Sequence, residues 1–458
     1  MPLCILHIST RLILGGSQEN TLLSCEGQAR LGHDVHLAFG PIFGPEGSML
    51  DRVRAFNERV RTGHESGATE IVTHELPHMV REIDPIKDHL CFHRDLKRLL
   101  RDVRPDVVHT HSSKAGILGR WAAWKANGIS ADLWLAYDQF WPELNDVPPR
   151  AARKLLPAMR IVHTIHGPPF MPVEGPALAR AKTRLKNHLY TLAERFAARR
   201  CHTIVSVADA MTEQFLARGI GRRGQYVTVR SGMPVEPFLH PAPGETREDV
   251  RRELGVAPTD FVLGTVARLA EHKGHDDVLD ALAGDLRANP HWKLLWVGDG
   301  WWRERLLARV ESLGVRAQVV TTGLVAPERI PALMRAMDVL IHPSYREGLP
   351  RTVPQALLAG VPVVASDADG TPEVCLDPAR VGADNATGRL FPVGDATALG
   401  EAVRWMANHD ADRRAMGERG RAMCREMFSA ERMVKSLERV YADALAKVRA
   451  PGLESRGT

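Results

Sequence analysis

Short apolar runs rich in β-branched residues alternate with helix-period segments through both halves of the chain, and no other regularity narrows the fold as much. Such alternation is the pattern of βαβ units, whose parallel strands are buried on both faces and so read as near-continuous apolar stretches. In the first half the runs Cys4–Ser9, Val35–Phe39, Val107–Thr110, Ile161–Ile165 and Thr203–Val207 predict strands. In the second half Phe261–Val266, Lys293–Val297, Gln318–Thr321, Val339–Ile341 and Val361–Ala365 do the same. Each run ends at polar or glycine residues, where loops begin. The reading is an α/β protein with two Rossmann-like sheets, which suits a length of 458 residues, more than one core usually supports.

Pro234, Pro237, Pro241 and Pro243 crowd one stretch and disfavour both helix and central strand there. They place a domain boundary near Glu236, dividing the chain into 1–235, 236–429 and a closing segment 430–458. That last segment carries Met433, Leu437, Val440, Tyr441 and Leu445 at helical spacing, long enough to leave one domain and pack elsewhere. Ala131–Met159, with Trp134, Tyr137, Phe140, Trp141 and clustered prolines, interrupts the strand–helix rhythm and reads as an insertion.

Several classes are excluded. Apolar runs are strand-length, far short of the roughly 20 residues of a spanning helix, and the N-terminus opens on a strand rather than a basic, leader-like segment, so a cytoplasmic protein is expected. Six scattered cysteines without a C-x-x-C pair suggest buried thiols, not a zinc site or a disulfide framework. A formal charge of +5 does not by itself indicate nucleic acid. Its distribution is more telling: ten basic residues between 151 and 200 face only Glu174 and Glu194. Within that patch Leu178, Leu185, Leu189, Leu192 and Phe196 are spaced for one helical face, with Lys182, Arg184, Lys186, Arg195 and Arg199 available to others. Either the apolar face packs on the sheet, or the helix docks on an anionic membrane surface.

The most informative string runs from Ile341 to Pro362, where a strand ends, a loop Tyr345-Arg346-Glu347-Gly348-Leu349-Pro350 follows, and a helix begins near Arg351 and Thr352. Ligands of open α/β sheets bind at the carboxyl ends of strands, and the amides of a helix start favour an anion such as phosphate. After the strand Phe261–Val266 comes Ala267-Arg268-Leu269-Ala270-Glu271-His272-Lys273-Gly274, with two cations five residues apart. Gly298 and Gly300 close the next strand, and Gly323-Leu324 the one after. In the first half Leu14-Gly15-Gly16-Ser17-Gln18-Glu19 follows the first strand, while His109-Thr110-His111-Ser112-Ser113-Lys114 and His163-Thr164-Ile165-His166-Gly167 put histidines at strand ends.

Together these strings resemble glycosyltransferase family four, the retaining GT-B enzymes, over nearly the whole chain outside 131–159. The resemblance implies two Rossmann-like domains facing a central cleft, with the last helix crossing back onto the N-terminal domain. It implies transfer of a hexosyl unit from a nucleoside-diphosphate sugar, UDP-linked by expectation, to a hydroxyl of a glycan, glycolipid or lipid-linked acceptor. No metal and no cofactor are expected. Glu347 matches the glutamate that contacts donor-sugar hydroxyls, Arg268 and Lys273 the pair that holds the diphosphate, and His166 the histidine that meets the donor sugar. Gly15, Gly16, Gly298, Leu324, Gly348, Leu349, Pro350, Arg351 and Thr352 fall in loops that line the donor pocket of the family. Gln355 departs from the pattern, standing where the family has a second glutamate toward the ribose; its carbonyl accepts a hydrogen bond, but without charge. Glu19, His109, His111 and Lys114 are candidates for the acceptor side, and the insertion is either a surface excursion or an acceptor flap.

Three alternatives stay open at this level. Asp367-x-Asp369 is similar to the metal-binding pair of GT-A transferases, although Asp369-Gly370-Thr371-Pro372-Glu373 also matches a turn of family four. A GT-B isomerase of the UDP-sugar 2-epimerase kind shares the fold. Gln355 leaves room for a sugar-nucleotide-binding protein without catalysis.

Overall fold

The computed structural model describes residues 1–42, 47–128, 158–167, 169–170 and 177–446. The insertion therefore lies outside the described residues except for its last two positions. The chain forms two compact units, one of Met1–Val207, Met211–Ser231 and Met433–Thr458, the other of Ala208–Ala210 and Gly232–Arg432.

The first unit is built on seven parallel strands, β1 (Cys4–Ser9), β2 (Asp34–Phe39), β3 (Ile71–Glu75), β4 (Val107–His111), β5 (Arg160–Ile165), β6 (Thr203–Ser206) and β7 (Tyr226–Thr228), ordered β3-β2-β1-β4-β5-β6-β7. The second has β8 (Phe261–Val266), β9 (Trp292–Val297), β10 (Val319–Gly323), β11 (Val339–His342), β12 (Val363–Ser366) and β13 (Gly388–Phe391), ordered β10-β9-β8-β11-β12-β13. Strand order reverses between β1 and β4 and between β8 and β11, and an open parallel sheet offers a ligand crevice at that reversal. The central strands are buried along their length, and their apolar side chains, with those of the covering helices, form each core. All six cysteines are free, five of them buried.

The closing helix Ala430–Ala446 packs in the first unit from Met433 on, with Met433, Val434, Leu437, Val440, Tyr441 and Ala444 buried. Its seat is specific. A Cβ on Gly27 would come within 2.3 Å of Val434, His33 meets Glu438 at 2.9 Å, and Asn20 donates to the Met433 sulfur at 3.2 Å. Glycine at position 27 thus lets the two helices approach closely.

The helix Ala177–Ala198 corrects the view that its leucines pack on the sheet. Leu185 is 60% exposed, Leu189 58% and Leu192 46%, whereas Thr183, Asn187, Thr191 and Glu194 take the more buried positions. The reason is a buried ion pair: Arg120 Nη2 donates to Glu194 Oε2 at 2.6 Å, with both side chains almost wholly excluded from solvent. That pair fixes which side of the helix turns inward. Among the described residues no helix is long and apolar enough to cross a membrane.

Candidate active site

In the second unit the loops after β8 and β11 meet at the strand-order reversal. Lys273 Nζ donates to Glu347 Oε1 at 2.5 Å, and His342 Nε2 lies 3.4 Å from the same oxygen. His342, at the end of β11, also shares a hydrogen bond of 3.2 Å through Nδ1 with Thr352 Oγ1, tying the carboxylate to the start of the helix Thr352–Leu358. Backbone contacts make the placement rigid: the Tyr345 amide donates to the His272 carbonyl at 3.0 Å, and the Glu347 amide donates to Asp369 Oδ2 at 2.7 Å. Gly274 explains why lysine is followed by glycine here. Its φ is +69°, and a Cβ would sit 2.2 Å from the Pro343 carbonyl, so only glycine lets the two loops close.

Burial alone would raise the Glu347 carboxyl, but His342 and Lys273 outweigh it and hold the group well below the usual carboxylate range. Glu347 is therefore ionised at neutral pH and acts only as an acceptor, suited to taking hydrogen bonds from sugar hydroxyls. His272 is lowered by burial first, then by Lys273 and Arg268, with Glu347 opposing, so these charges share one local field. Arg268 itself is exposed, with its guanidinium 5.6 Å above the Trp301 ring. The structure brings Lys273 and Glu347 into contact and leaves Arg268 on the loop beside them.

The remaining second-unit candidates divide by exposure. Leu324 is 84% exposed beyond β10, while Leu349 and Pro350 are buried and fasten their loop to the domain. Gly348 accepts from the Gly370 amide at 3.2 Å, Arg351 Nη1 donates to the Gly232 carbonyl at 3.3 Å, and Gln355 is half-buried on the first turn of its helix. Gly298 and Gly300 are needed for packing, since a Cβ on either would lie within 2.3 Å of the carbonyl of Ala267 or Leu269. The pair Asp367 and Asp369 is already employed: Asp367 is ion-paired with Arg380, and Asp369, in the left-handed region at φ 46°, accepts from the Glu347 amide. Asp369 is thus a loop anchor. His342 is the residue that motif reading passed over; its only signal is a polar side chain at the end of an otherwise apolar strand.

In the first unit the corresponding loops are those after β1 and β4, joined by a hydrogen bond of 2.8 Å between Thr10 and Ser112 hydroxyls. Gly15 and Gly16 are exposed, Gly15 capping and Gly16 beginning the helix Gly16–Arg30, on whose first turn Glu19 sits half-buried. Lys114 is ion-paired with Asp88 at 2.5 Å. His109 and His111 are 0% and 1% exposed, so they cannot meet an acceptor directly; the closing helix and their own neighbours enclose them. His166, half-buried after β5, hydrogen-bonds through Nε2 with His111 Nδ1 at 3.1 Å.

Comparison with known proteins bears on the family and the fold. A family described as glycosyl transferases group 1 matches residues 246–423, and a glycosyl transferase 4-like domain matches residues 15–232. The 2-deoxystreptamine glucosyltransferase of Streptomyces kanamyceticus is 30% identical over 292 residues, covering 60% of this chain and 73% of that one. A UDP-Gal:alpha-D-GlcNAc-diphosphoundecaprenol alpha-1,3-galactosyltransferase of Escherichia coli is 26% identical over 299 residues, 64% and 66% of the two chains. Among solved structures, Anabaena HepE in complex with UDP and glucose superposes with a TM-score of 0.68 at 18% identity, covering 96% of this chain and 99% of that one, which establishes the GT-B fold. This chain belongs to the family-four glycosyltransferases and is a glycosyltransferase that takes its sugar from a nucleotide-sugar donor.

Proposed function

We propose that the protein moves a hexosyl unit from a UDP-sugar to a hydroxyl of a glycan, glycolipid or lipid-linked acceptor, with retention at the anomeric carbon and without a metal ion. The contact of Lys273 and His342 with the ionised Glu347 at the β8–β11 reversal carries this reading. In it Glu347 accepts hydrogen bonds from the donor sugar, while Lys273 and Arg268 stabilise the charge that grows on the departing diphosphate. The resemblance to family four gives His166 the role of a contact to the donor sugar. The acceptor hydroxyl attacks from the face the nucleotide leaves, and a phosphate oxygen of the donor takes its proton. The uridine donor is supported by the complex of HepE with UDP and glucose and by the UDP-Gal named for the Escherichia coli relative.

A thermal-shift panel of nucleotide sugars selects the donor, because a ligand of the native state raises the melting point by mass action. Product analysis with that donor then yields a glycoside of unchanged anomeric configuration, at a rate that EDTA does not alter. Epimerised nucleotide sugar, or activity lost to EDTA and restored by manganese, overturns the reading. The Asp367 and Asp369 carboxylates are engaged with Arg380 and the Glu347 amide, which supports metal independence.

We also propose that the helix Ala177–Ala198 rests on an anionic membrane surface, where a lipid-linked acceptor would be found. Its outward leucines, beside Lys182, Arg184 and Lys186, support this, each cation contributing on the order of 1 kcal/mol near acidic lipid. The protein should co-sediment with acidic liposomes at low salt, dissociate as salt screens the charges, and ignore neutral liposomes. Reversing Lys182, Arg184 and Lys186 to glutamate should abolish that binding and spare transfer to a soluble acceptor. Equal partitioning to acidic and neutral vesicles, or none to either, rejects the proposal.

A further inference from the structure

Three histidines lie side by side on one face of the first sheet. His7 on β1 is in register with His109 on β4, and His111, two residues on, points to the same face. They are almost fully buried, an uncommon place for so many titratable rings. Every ring nitrogen of the three has a hydrogen-bond partner. His7 Nδ1 lies 2.9 Å from His111 Nε2, and His7 Nε2 lies 2.7 Å from Gln28 Oε1. His111 Nδ1 continues to His166 Nε2 at 3.1 Å. On the other side Gln28 Nε2 donates to the Tyr441 hydroxyl at 3.0 Å, Tyr441 reaches His109 Nδ1 at 2.6 Å, and His109 Nε2 reaches Thr164 Oγ1 at 2.7 Å.

We infer that Gln28 sets the tautomer of His166 through this line of imidazoles, and that Tyr441 on the closing helix holds Gln28 in the orientation that does so. The inference rests on the reading of His166 as the group that meets the donor sugar. Burial pushes His7 down to about 4 and holds His109 and His111 well below the ordinary imidazole value, so all three are neutral at pH 7. A neutral imidazole has one N–H and one lone pair, and an amide oxygen only accepts. Gln28 Oε1 therefore requires the hydrogen of His7 on Nε2, which leaves Nδ1 as acceptor. His111 must then carry its hydrogen on Nε2, and by the same step His166 carries its own on Nε2. Nδ1 is the nitrogen by which His166 can accept.

The second arm obeys the same rule. The Gln28 amide donates to Tyr441, whose hydroxyl donates to His109 Nδ1, and His109 Nε2–H donates to Thr164. Exchanging the amide oxygen and nitrogen of Gln28 would reverse both arms at once, so one side chain governs six polar groups. An amide does not pass a proton on at neutral pH, and the line is accordingly a lock on polarity rather than a conduit. Gln28 and Tyr441 are positioning residues that act through His166.

The test is made on the full chain labelled with ¹⁵N-histidine, using long-range ¹H–¹⁵N spectra in which the rings are assigned by single substitutions. The expected result is the Nε2–H tautomer for His7, His109, His111 and His166. In Gln28→Glu the introduced carboxylate draws a proton onto His7, whose two nitrogens then both donate. His111 must accept at Nε2, and His111 and His166 both change to Nδ1–H. Tyr441→Phe frees the amide without adding charge and should give mixed tautomers at His166. In both variants kcat/KM falls by about tenfold or more through a misaligned His166, while Tyr441→Phe still unfolds in one cooperative transition, at a melting point lowered by the buried polar groups that lose a partner. An Nδ1–H tautomer at His166 in the parent, or an unchanged one in both variants, overturns the lock even where activity falls. Tautomers that change as described while turnover does not, with His166→Ala also fully active, remove the reading of His166 as a sugar contact and leave the lock standing.

Discussion

Glu347→Ala should reduce kcat by about 10²–10³, corresponding to roughly 3–4 kcal/mol of transition-state stabilisation, the usual cost of deleting one preorganised polar group from a site where charge develops. The carboxylate lies 2.5 Å from Lys273 and 3.4 Å from His342, and its backbone amide is anchored on Asp369, so under the proposed function the sugar would meet an acceptor that need not reorganise. Because Glu347 is ionised, Glu347→Gln keeps the shape and loses the charge; it should fall between alanine and the parent. The fold should survive either change, since the side chain sits at a loop and not in a core cluster. Steady-state kinetics beside thermal unfolding separates the effects. Turnover near the parental value in correctly folded Glu347→Ala would remove Glu347 from the mechanism.

Arg120→Met should destabilise the first unit by about 3–5 kcal/mol, because it leaves the Glu194 carboxylate buried without its counter-charge. The guanidinium makes two buried contacts, to Glu194 at 2.6 Å and to the Gly116 carbonyl at 2.7 Å. Replacing both partners together, as Arg120→Met with Glu194→Leu, should recover most of that loss, since a packed apolar pair avoids the cost of dehydrating two ions. Denaturant unfolding of the single and double variants measures the difference. A single substitution costing less than about 1 kcal/mol would mean that water reaches the pair. The same pair orients the helix Ala177–Ala198, so its loss should also weaken binding to acidic vesicles.

Strands buried on both faces were readable as apolar runs because a central parallel strand has no side that must be polar. That held for β1, β2, β4, β5 and β6 and for β8 through β12, within a residue or two at their ends. Of the four edge strands only β10 was read, and β3, β7 and β13 escaped notice for the opposite reason. In β3 only Ile71 is buried, β7 is three residues long, and β13 begins on a glycine, so none carries a run long enough to stand out. The two strings that meet through Lys273 and Glu347 were legible because glycine and charge recur there at short range: Lys273 with Gly274, and Glu347 at a strand end. His342 was not, because its role depends on Glu347 and Thr352 converging on it in space.

Periodicity alone decided that Leu178, Leu185, Leu189, Leu192 and Phe196 share one helical face, and that His109 and His111 stand at the end of a strand. Neither inference needed more than the geometry of one element. Which side of that helix turns inward was decided by Arg120, 74 positions away in the chain, because a buried carboxylate must find a cation and the leucines then had to face outward. The histidine line likewise required Gln28 from the first helix and Tyr441 from the last, 413 residues apart. A buried polar side chain takes its partners wherever the fold supplies them, and local spacing holds no record of a contact that forms only when distant elements pack.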